Sequence, residues 1–151
     1  MTEPWSPPAA WPLYIAMAIK FEFDEVNRIL LVRVDGRLTD ELLNDVYRAI
    51  RRYSLATDAR AGIFDVTGVT DFAVSSEFVR RLAQTEPAMP NAEERPRVVV
   101  VPQTHGFGLV RMFQIVGERS RPLFSVVRTM DDAIKLLRAE TPEFKPLEPL
   151  N

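Results

Sequence analysis

Hydrophobic and polar residues alternate along the first part of the chain in two short runs, residues 19–24 and 28–35. A period of two residues is typical of β-strands that bury one face and expose the other. Only a short turn, residues 25–27, separates the two runs. We therefore predict that they form a β-hairpin, and that Gly36 ends the second strand.

The next part of the chain has the period of an α-helix. Thr39 is a good N-cap, Asp40 and Glu41 suit the positive end of the helix dipole, and apolar residues follow at helical spacing: Leu42, Leu43, Val46, Tyr47 and Ile50. Two later runs, residues 62–66 and 97–101, are short and mostly apolar, which is typical of strands buried on both faces.

Three further helices and one more strand complete the pattern. We predict helices that begin at Ser75 or Ser76, near Gly108 and after Thr129, and a last strand at residues 123–127. The resulting order, ββαβαβαβα, is typical of an α/β sheet with right-handed crossover connections.

This order predicts one α/β domain at residues 18–140, with a mostly parallel five-stranded sheet, an N-terminal β-hairpin and about four helices. Residues 1–17 are rich in proline and contain Trp5 and Trp11. We predict that they form an arm that is either loosely ordered or docked on a partner. Residues 141–151 contain three prolines and are predicted to be a tail.

Composition excludes several classes of protein. The chain has 151 residues, 46% of them hydrophobic, which suits one core, and its net charge of −2 gives no reason to expect nucleic-acid binding. Because there is no cysteine and only one histidine, thiolate sites and histidine-rich metal sites are excluded, and we predict neither a metal nor a cofactor. No apolar run is long enough for stable membrane insertion, so we expect a cytoplasmic protein.

Four short sequence motifs resemble those of a known protein family. Residues 35–42 read DGRLTDEL, residues 64–72 read FDVTGVTDF, residues 74–77 read VSSE and residues 108–113 read GLVRMF. Together with the order of elements, they resemble the SpoIIAA-like superfamily, which contains STAS domains such as the anti-anti-sigma factors and small stand-alone bacterial proteins. The resemblance implies a single STAS-like domain that acts as a non-enzymatic regulatory or protein-interaction module. It also implies an unidentified protein partner, and we expect a homodimer.

The resemblance directs attention to two serines at a helix start. In anti-anti-sigma factors a serine at this position is phosphorylated by a partner kinase, and the matching residue here is Ser75 or Ser76. An anion is favourable at a helix N-terminus, but Glu77 would repel a phosphate, and Val74 stands where the family has an aspartate. We therefore expect these serines to act as helix caps that contribute about 1 kcal/mol.

Other candidate residues lie where predicted strands end and helices begin, which is where open α/β sheets bind ligands. Asp65 and Asp71 are suited to bind a cation or to act as acid and base, or else serve only in turns. The start of the third helix forms either an anion pocket or a simple glycine turn. The predicted ligand or partner surface comprises Asp65, Asp71, Phe72, Thr104, His105, Gly106, Gly108, Arg111 and Met112.

The predicted third helix has more apolar residues than one buried stripe requires: Leu109, Val110, Met112, Phe113, Ile115 and Val116. Either it is deeply buried, or it contacts a second subunit or an apolar ligand. The alternative function is therefore a small-molecule or lipid-binding domain with an apolar pocket beside helix 109–118, and a cavity of roughly several hundred Å³ is expected for it. A third alternative, a hydrolase using Asp65, Asp71 and His105, requires Asp65 within hydrogen-bond reach of His105, directly or through one water.

Overall fold

The computed structural model describes residues 18–148. Residues 1–17, with the predicted arm and its Trp5 and Trp11, and residues 149–151 lie outside the described part. The described residues form six strands and four helices, in the order β1 (Ile19–Asp24), β2 (Ile29–Thr39), α1 (Asp40–Thr57), β3 (Ala61–Ala73), α2 (Ser76–Ala83), β4 (Arg97–Val100), α3 (Thr104–Val116), β5 (Phe124–Val127), α4 (Met130–Leu136) and β6 (Lys145–Pro146).

The strands form one mixed sheet in the order β5-β4-β3-β2-β1-β6. Strands β2 to β5 run parallel to one another, whereas β1 is antiparallel to both β2 and β6. The predicted hairpin of β1 and β2 is confirmed, with Ile19 opposite Val34 and Asp24 opposite Ile29. The α/β class is confirmed as well, but the prediction of a mostly parallel five-stranded sheet is wrong.

The additional strand, β6, lies in the segment that the sequence predicts to be a tail. Its two residues, Lys145 and Pro146, pair with Phe23 and Glu22 of β1. So short a strand has no alternating pattern, and proline argues against a strand anywhere except at an edge. Pro146 is tolerated because β6 is an edge strand of the described sheet, where no further strand requires its missing N–H group.

Strands β2 and β3 are longer than the sequence predicts. Gly36 does not end β2, which continues to Thr39, and β3 continues through the predicted loop to Ala73. The two extensions pair with each other from Asp35 and Gly68 onward, with shifts in register. Polar residues and glycines hid these extensions, because their pattern is that of a turn. Gly36 has φ +82°, a conformation that other residues rarely adopt.

Helices α1, α2 and α3 cover one face of the sheet, and α4 covers the other. The core on the first face is the larger, and within it the rings of Phe21 and Tyr53 stack with their centroids 4.1 Å apart. The smaller core contains Ala133 of α4, which is fully buried against β2, β3 and β4. Strands β3 and β4 are therefore covered on both faces, as their apolar runs predict.

Helix α3 begins at Thr104, earlier than the predicted start near Gly108, because glycines in the first turns weaken the helical signal. The apolar face of α3 is not deeply buried within the described chain: Gly106 is its one buried residue, and Ile115 is 63% exposed. Deep burial is thus the wrong alternative for the described residues. Contact with a second subunit or an apolar ligand stays a prediction.

Candidate functional site

The extensions of β2 and β3 bring the starts of two helices together. Helix α1 begins at Asp40, directly after β2, and α2 begins at Ser76, shortly after β3. Because β2 and β3 are parallel neighbours, both helices start at the same edge of the sheet. This is the carboxyl edge of the parallel strands, where ligands bind open α/β sheets.

Ser75 joins α2 to α1. Its hydroxyl accepts a hydrogen bond from the backbone N–H of Phe78 at 3.1 Å, which caps α2. The same hydroxyl donates to Oδ2 of Asp40 at 3.0 Å, and the backbone N–H of Ser75 donates to Oδ1 of Asp40 at 2.9 Å. One carboxylate therefore fixes the two helix starts relative to each other. Ser76 is the first residue of α2 and is exposed.

Acidic side chains lie next to Ser75. Asp40 accepts its hydrogen bonds, and Glu77 lies in the first turn of α2. Both acids are favourable at the positive end of a helix dipole. A phosphate on Ser75 would add about two negative charges beside them. The geometry therefore favours the role of a cap for Ser75.

An ion pair links the two strand extensions. Nε of Arg37 lies 3.2 Å from Oδ2 of Asp71, and these side chains are 69% and 60% exposed. Exposed pairs of this kind contribute about 0–1 kcal/mol to stability, so the main consequence is a pattern of surface charge. Asp71 is a strand residue and not the turn residue that one interpretation of the sequence expected.

The ring of Phe72 joins β3 to the start of α3. A Cβ atom at Gly106 would lie 2.5 Å from Cζ of Phe72, closer than Cβ atoms approach other atoms in proteins, so this contact requires glycine. Gln103, the N-cap residue of α3, adds a second link between α3 and β3. Its side-chain amide donates at 2.8 to 3.2 Å to the backbone carbonyls of Val66, Thr67 and Val69.

We name this region the helix-start surface and define it by Arg37, Asp40, Asp71, Phe72, Ser75, Glu77 and His105. Three residues at the start of α3 are exposed: Thr104, His105 and Gly108. Arg111 lies further along α3, where its Nη1 donates to Oε1 of Gln114 at 2.5 Å, and Met112 is half-buried against the larger core. The predicted anion pocket requires Arg111 at the start of α3, but the structure places Arg111 further along the helix.

Asp65 belongs to a different place, the face of the sheet that α4 covers. Its buried carboxylate accepts from the backbone N–H of Thr67 at 2.9 Å and lies 3.6 Å from Nη1 of Arg33. Nε of Arg33 also donates to Oε2 of Glu22 at 2.7 Å. Among the described residues, no direct hydrogen bond joins Asp65 to His105, and Asp65 instead contacts Thr67 and Arg33. The direct contact of the hydrolase alternative is therefore not formed, and a contact through one water stays a prediction.

Two arginines at the opposite end of α2 were not singled out by sequence reasoning. Arg121 is 3% exposed and donates to the carbonyls of Leu82, Ala83 and Thr85, at the end of α2. It therefore stabilises the negative end of the helix dipole. Arg97 lies nearby, and burial, together with the charge of Arg121, lowers the pKa of Arg97 to about 10.

The carboxylates of the described chain do not form a cluster that is suited to bind a metal ion. Within residues 18–148, no group of three or more His, Cys, Asp or Glu side chains is placed to hold a metal ion. Asp65 instead pairs with Arg33, and Asp71 with Arg37. In the same residues, no helix has the length and apolar character that a membrane crossing requires.

Comparison with solved structures identifies the fold. The structure of the anti-sigma factor antagonist SpoIIAA in its unphosphorylated form matches with a TM-score of 0.50 and 13% sequence identity, covering 82% of this chain and 100% of that chain. The chain has a SpoIIAA-like fold. An anti-sigma factor antagonist from Mycobacterium paratuberculosis is similar with a TM-score of 0.48 and 20% identity, over 80% of this chain and 95% of that chain. No protein-family model matches the chain, and no curated protein matches it.

The SpoIIAA-like fold confirms the resemblance drawn from the sequence motifs at the level of architecture. Three of the motifs, residues 35–42, 64–72 and 74–77, lie at or next to the helix-start surface. The fourth, residues 108–113, lies inside α3 and not at its start. Gln103 was missed because one glutamine before a helix has no distinctive pattern, and its role depends on carbonyls of a strand that is distant in sequence.

Proposed function

We propose that this chain is a non-enzymatic regulatory module that binds a protein partner through the helix-start surface. One observation carries the proposal: two helix starts are joined by hydrogen bonds, the start of a third packs on the neighbouring strand β3, and exposed charged side chains lie among them. Asp40 joins α1 to α2 through Ser75, and Phe72 joins β3 to α3 through Gly106. A surface that is ordered before binding loses little conformational entropy on association.

The charge of the helix-start surface indicates the kind of partner. The surface contains three acids, Asp40, Asp71 and Glu77, against one arginine, Arg37, so its net charge is negative even though Arg37 pairs with Asp71. Since complementary charges steer association, we expect the partner to present a basic contact surface. The fold agrees with this function, because its structural neighbour SpoIIAA is an anti-sigma factor antagonist.

Charge reversal on the helix-start surface tests this function. Immobilised wild-type chain and the Asp71→Arg variant are exposed to the same lysate of the source organism, and bound proteins are quantified by mass spectrometry. Asp71 is 60% exposed, so its replacement leaves the fold intact. Glu25→Arg, an exposed acid in the β1–β2 turn, is the matched control.

The proposal predicts a protein that is retained by the wild type and by Glu25→Arg, and reduced about tenfold or more by Asp71→Arg. A protein retained equally by all three chains contradicts binding through the helix-start surface. A protein lost equally from both variants also contradicts it, because such a loss depends on the net charge of the chain and not on the position of the substitution.

We also propose that Ser75 is a fixed cap and not a phosphorylation switch. Its hydroxyl is engaged by Asp40, and Glu77 lies in the same helix turn. The test is an intact-mass measurement of protein purified from the source organism. A mass equal to that of the sequence supports the cap, and a phosphate mapped to Ser75 or Ser76 contradicts it.

A homodimer is a further part of the proposal, with the second subunit on the outer face of α3. Ile115 and Val116 are 63% and 37% exposed there, and Leu123, just before β5, is 40% exposed. Burying such side chains is favourable by about 25 cal/mol per Å². Sedimentation equilibrium should give twice the chain mass of 17.2 kDa, and Ile115→Lys should give that mass once. A wild-type chain that is still monomeric at about 100 µM contradicts the dimer, because its association free energy is then weaker than about −5.5 kcal/mol.

Binding of a small apolar molecule is a second candidate function, and a cavity favours it. The cavity lies between the sheet and helices α1 to α3 and has a volume of about 150 Å³. Typical ligand pockets measure roughly 300–1,000 Å³, so the observed volume does not favour a lipid.

A further inference from the structure

The apolar cavity of about 150 Å³ lies beside the larger core, between the sheet and three helices, and is partly open to solvent. Its walls are apolar side chains and glycines, apart from Tyr47, Arg97 and Arg121. Protein cavities of similar volume with aliphatic and aromatic walls stay dry and bind benzene or xenon. We propose, on the basis of the second candidate function, that this cavity is a binding site for an apolar molecule the size of one aromatic ring.

The polar residues of the wall make few hydrogen bonds available to an occupant. The guanidinium of Arg121 donates to backbone carbonyls of α2 and to the hydroxyl of Tyr47 at 2.8 Å. Tyr47 in turn donates to the carbonyl of Glu86. Arg97 donates to the carbonyl of Ala92 at 3.4 Å and keeps one buried donor, Nε, without a partner. Apart from this single donor, the polar groups of the wall pair with one another or with the backbone. The occupant that fits this wall is therefore apolar, because a charged or strongly polar group would lose most of its hydration without replacement.

Two side chains that line the cavity rest on glycines, Met89 on Gly62 of β3 and Phe72 on Gly106 of α3. A Cβ atom at Gly62 would lie 2.9 Å from Cε of Met89, and one at Gly106 would lie 2.5 Å from Cζ of Phe72. Met89 and Phe72 thus lie against backbone and leave the space between them unfilled. Met89 is 2% exposed, on the connection between α2 and β4. Its unbranched thioether is the more adaptable of the two, so Met89 is the movable wall.

Methyl NMR of the full chain labelled at the methionine methyl groups tests the site, with benzene as the probe. Met89 lines the cavity, whereas Met130 packs against the smaller core on the opposite face and is an internal control. The Met89 signal should shift and saturate while the Met130 signal stays constant. At a benzene concentration of about ten times Kd, Tm should rise by about 3–6 °C. A Met89 signal that does not move, or that moves together with Met130 without saturation, overturns the site.

Two variants sharpen this result. Ala88→Leu places a larger side chain at the cavity wall, where Ala88 is 8% exposed, and should abolish the benzene shift in a chain that keeps its native spectrum. Met89→Ala enlarges the cavity and should bind indole about tenfold more tightly than the wild type does. Unchanged benzene binding in Ala88→Leu, or equal indole affinity in Met89→Ala, contradicts the assignment. Partner capture by the helix-start surface is measured in a separate experiment. A negative result for the partner therefore does not affect the test of the cavity, and a negative result for the cavity does not affect the test of the partner.

Discussion

The two ends of α2 are held in opposite ways. At its start, Ser75 and Asp40 form an exposed pair of hydrogen bonds. At its end, Arg121 is 3% exposed and donates to three backbone carbonyls. Cζ of Arg121 also lies 4.7 Å from the ring centroid of Phe113. Within residues 18–148, no carboxylate forms an ion pair with Arg121. Its charge is therefore balanced by backbone dipoles and an aromatic face.

This difference implies that the end of α2 contributes mainly to stability and the start of α2 mainly to binding. Removing a buried donor leaves its acceptors without partners, whereas water replaces the partner of an exposed group. We therefore expect substitutions at the end of α2 to change the free energy of unfolding strongly. Substitutions at its start should change stability little, and their effect should be on binding.

The largest effect is expected for Arg121→Ala. The substitution leaves the buried carbonyl of Ala83 without its donor and removes the donor to Thr85, and should lower the free energy of unfolding by about 3–5 kcal/mol. Urea denaturation measures this change. Arg119→Ala, at an exposed position close by in sequence, is the control and should stay within about 0.5 kcal/mol of the wild type. A loss below about 1 kcal/mol for Arg121→Ala would show that the buried contacts do not anchor α2.

Two glycines of α3 should respond with opposite signs. Gly106→Ala forces a Cβ atom into the ring of Phe72 and should lower stability by about 1–3 kcal/mol. At Gly108 a Cβ atom meets nothing within 4 Å, so Gly108→Ala should raise stability by about 0.5–1 kcal/mol. Thermal unfolding of both variants tests the contact that joins β3 to α3. Changes of the same sign would contradict it.

A smaller effect is expected at the start of α2. Ser75→Ala removes the cap and the hydrogen bond to Asp40, and should cost about 1 kcal/mol. Ser76→Ala is the matched control and should change stability by less than about 0.5 kcal/mol. A double-mutant cycle with Asp40→Ala should give a coupling of about 0.5–1 kcal/mol between the two side chains. Independent, additive effects would mean that Asp40 does not join the two helix starts.

The smallest effect on stability is expected for the exposed ion pair. Arg37→Ala and Asp71→Ala should each change the free energy of unfolding by about 0–0.5 kcal/mol. Their effects on partner capture should differ in sign, because a basic partner is attracted by Asp71 and repelled by Arg37. Quantified capture should rise for Arg37→Ala and fall for Asp71→Ala. Capture that changes in the same direction for both variants argues against a basic contact surface.

The sequence predicted those parts of the fold that a local pattern marks. The alternation in β1 and β2 predicted the hairpin, and Thr39 and Thr129 are the N-caps of α1 and α4, as expected. Two residues of the helix-start surface, Phe72 and Ser75, were also candidates from the sequence, because they lie next to a predicted strand end and helix start.

The remaining features depend on neighbours that are distant in sequence. The extensions of β2 and β3 consist largely of polar residues and glycine, and they are strands only because they pair with each other. Asp65 and Asp71 are close in sequence, yet one is buried beside Arg33 and the other is exposed beside Arg37. Arg121 contacts Ala83, which is 38 residues away, and no local pattern predicts such a contact.

The central claim, that a partner binds the helix-start surface, is tested most directly by hydrogen–deuterium exchange of this chain in complex with the protein that the wild type captures. The account predicts slower exchange at residues 37–41, 71–78 and 104–106, with α4 unchanged. Slower exchange at α4, with the helix-start surface unchanged, would contradict it.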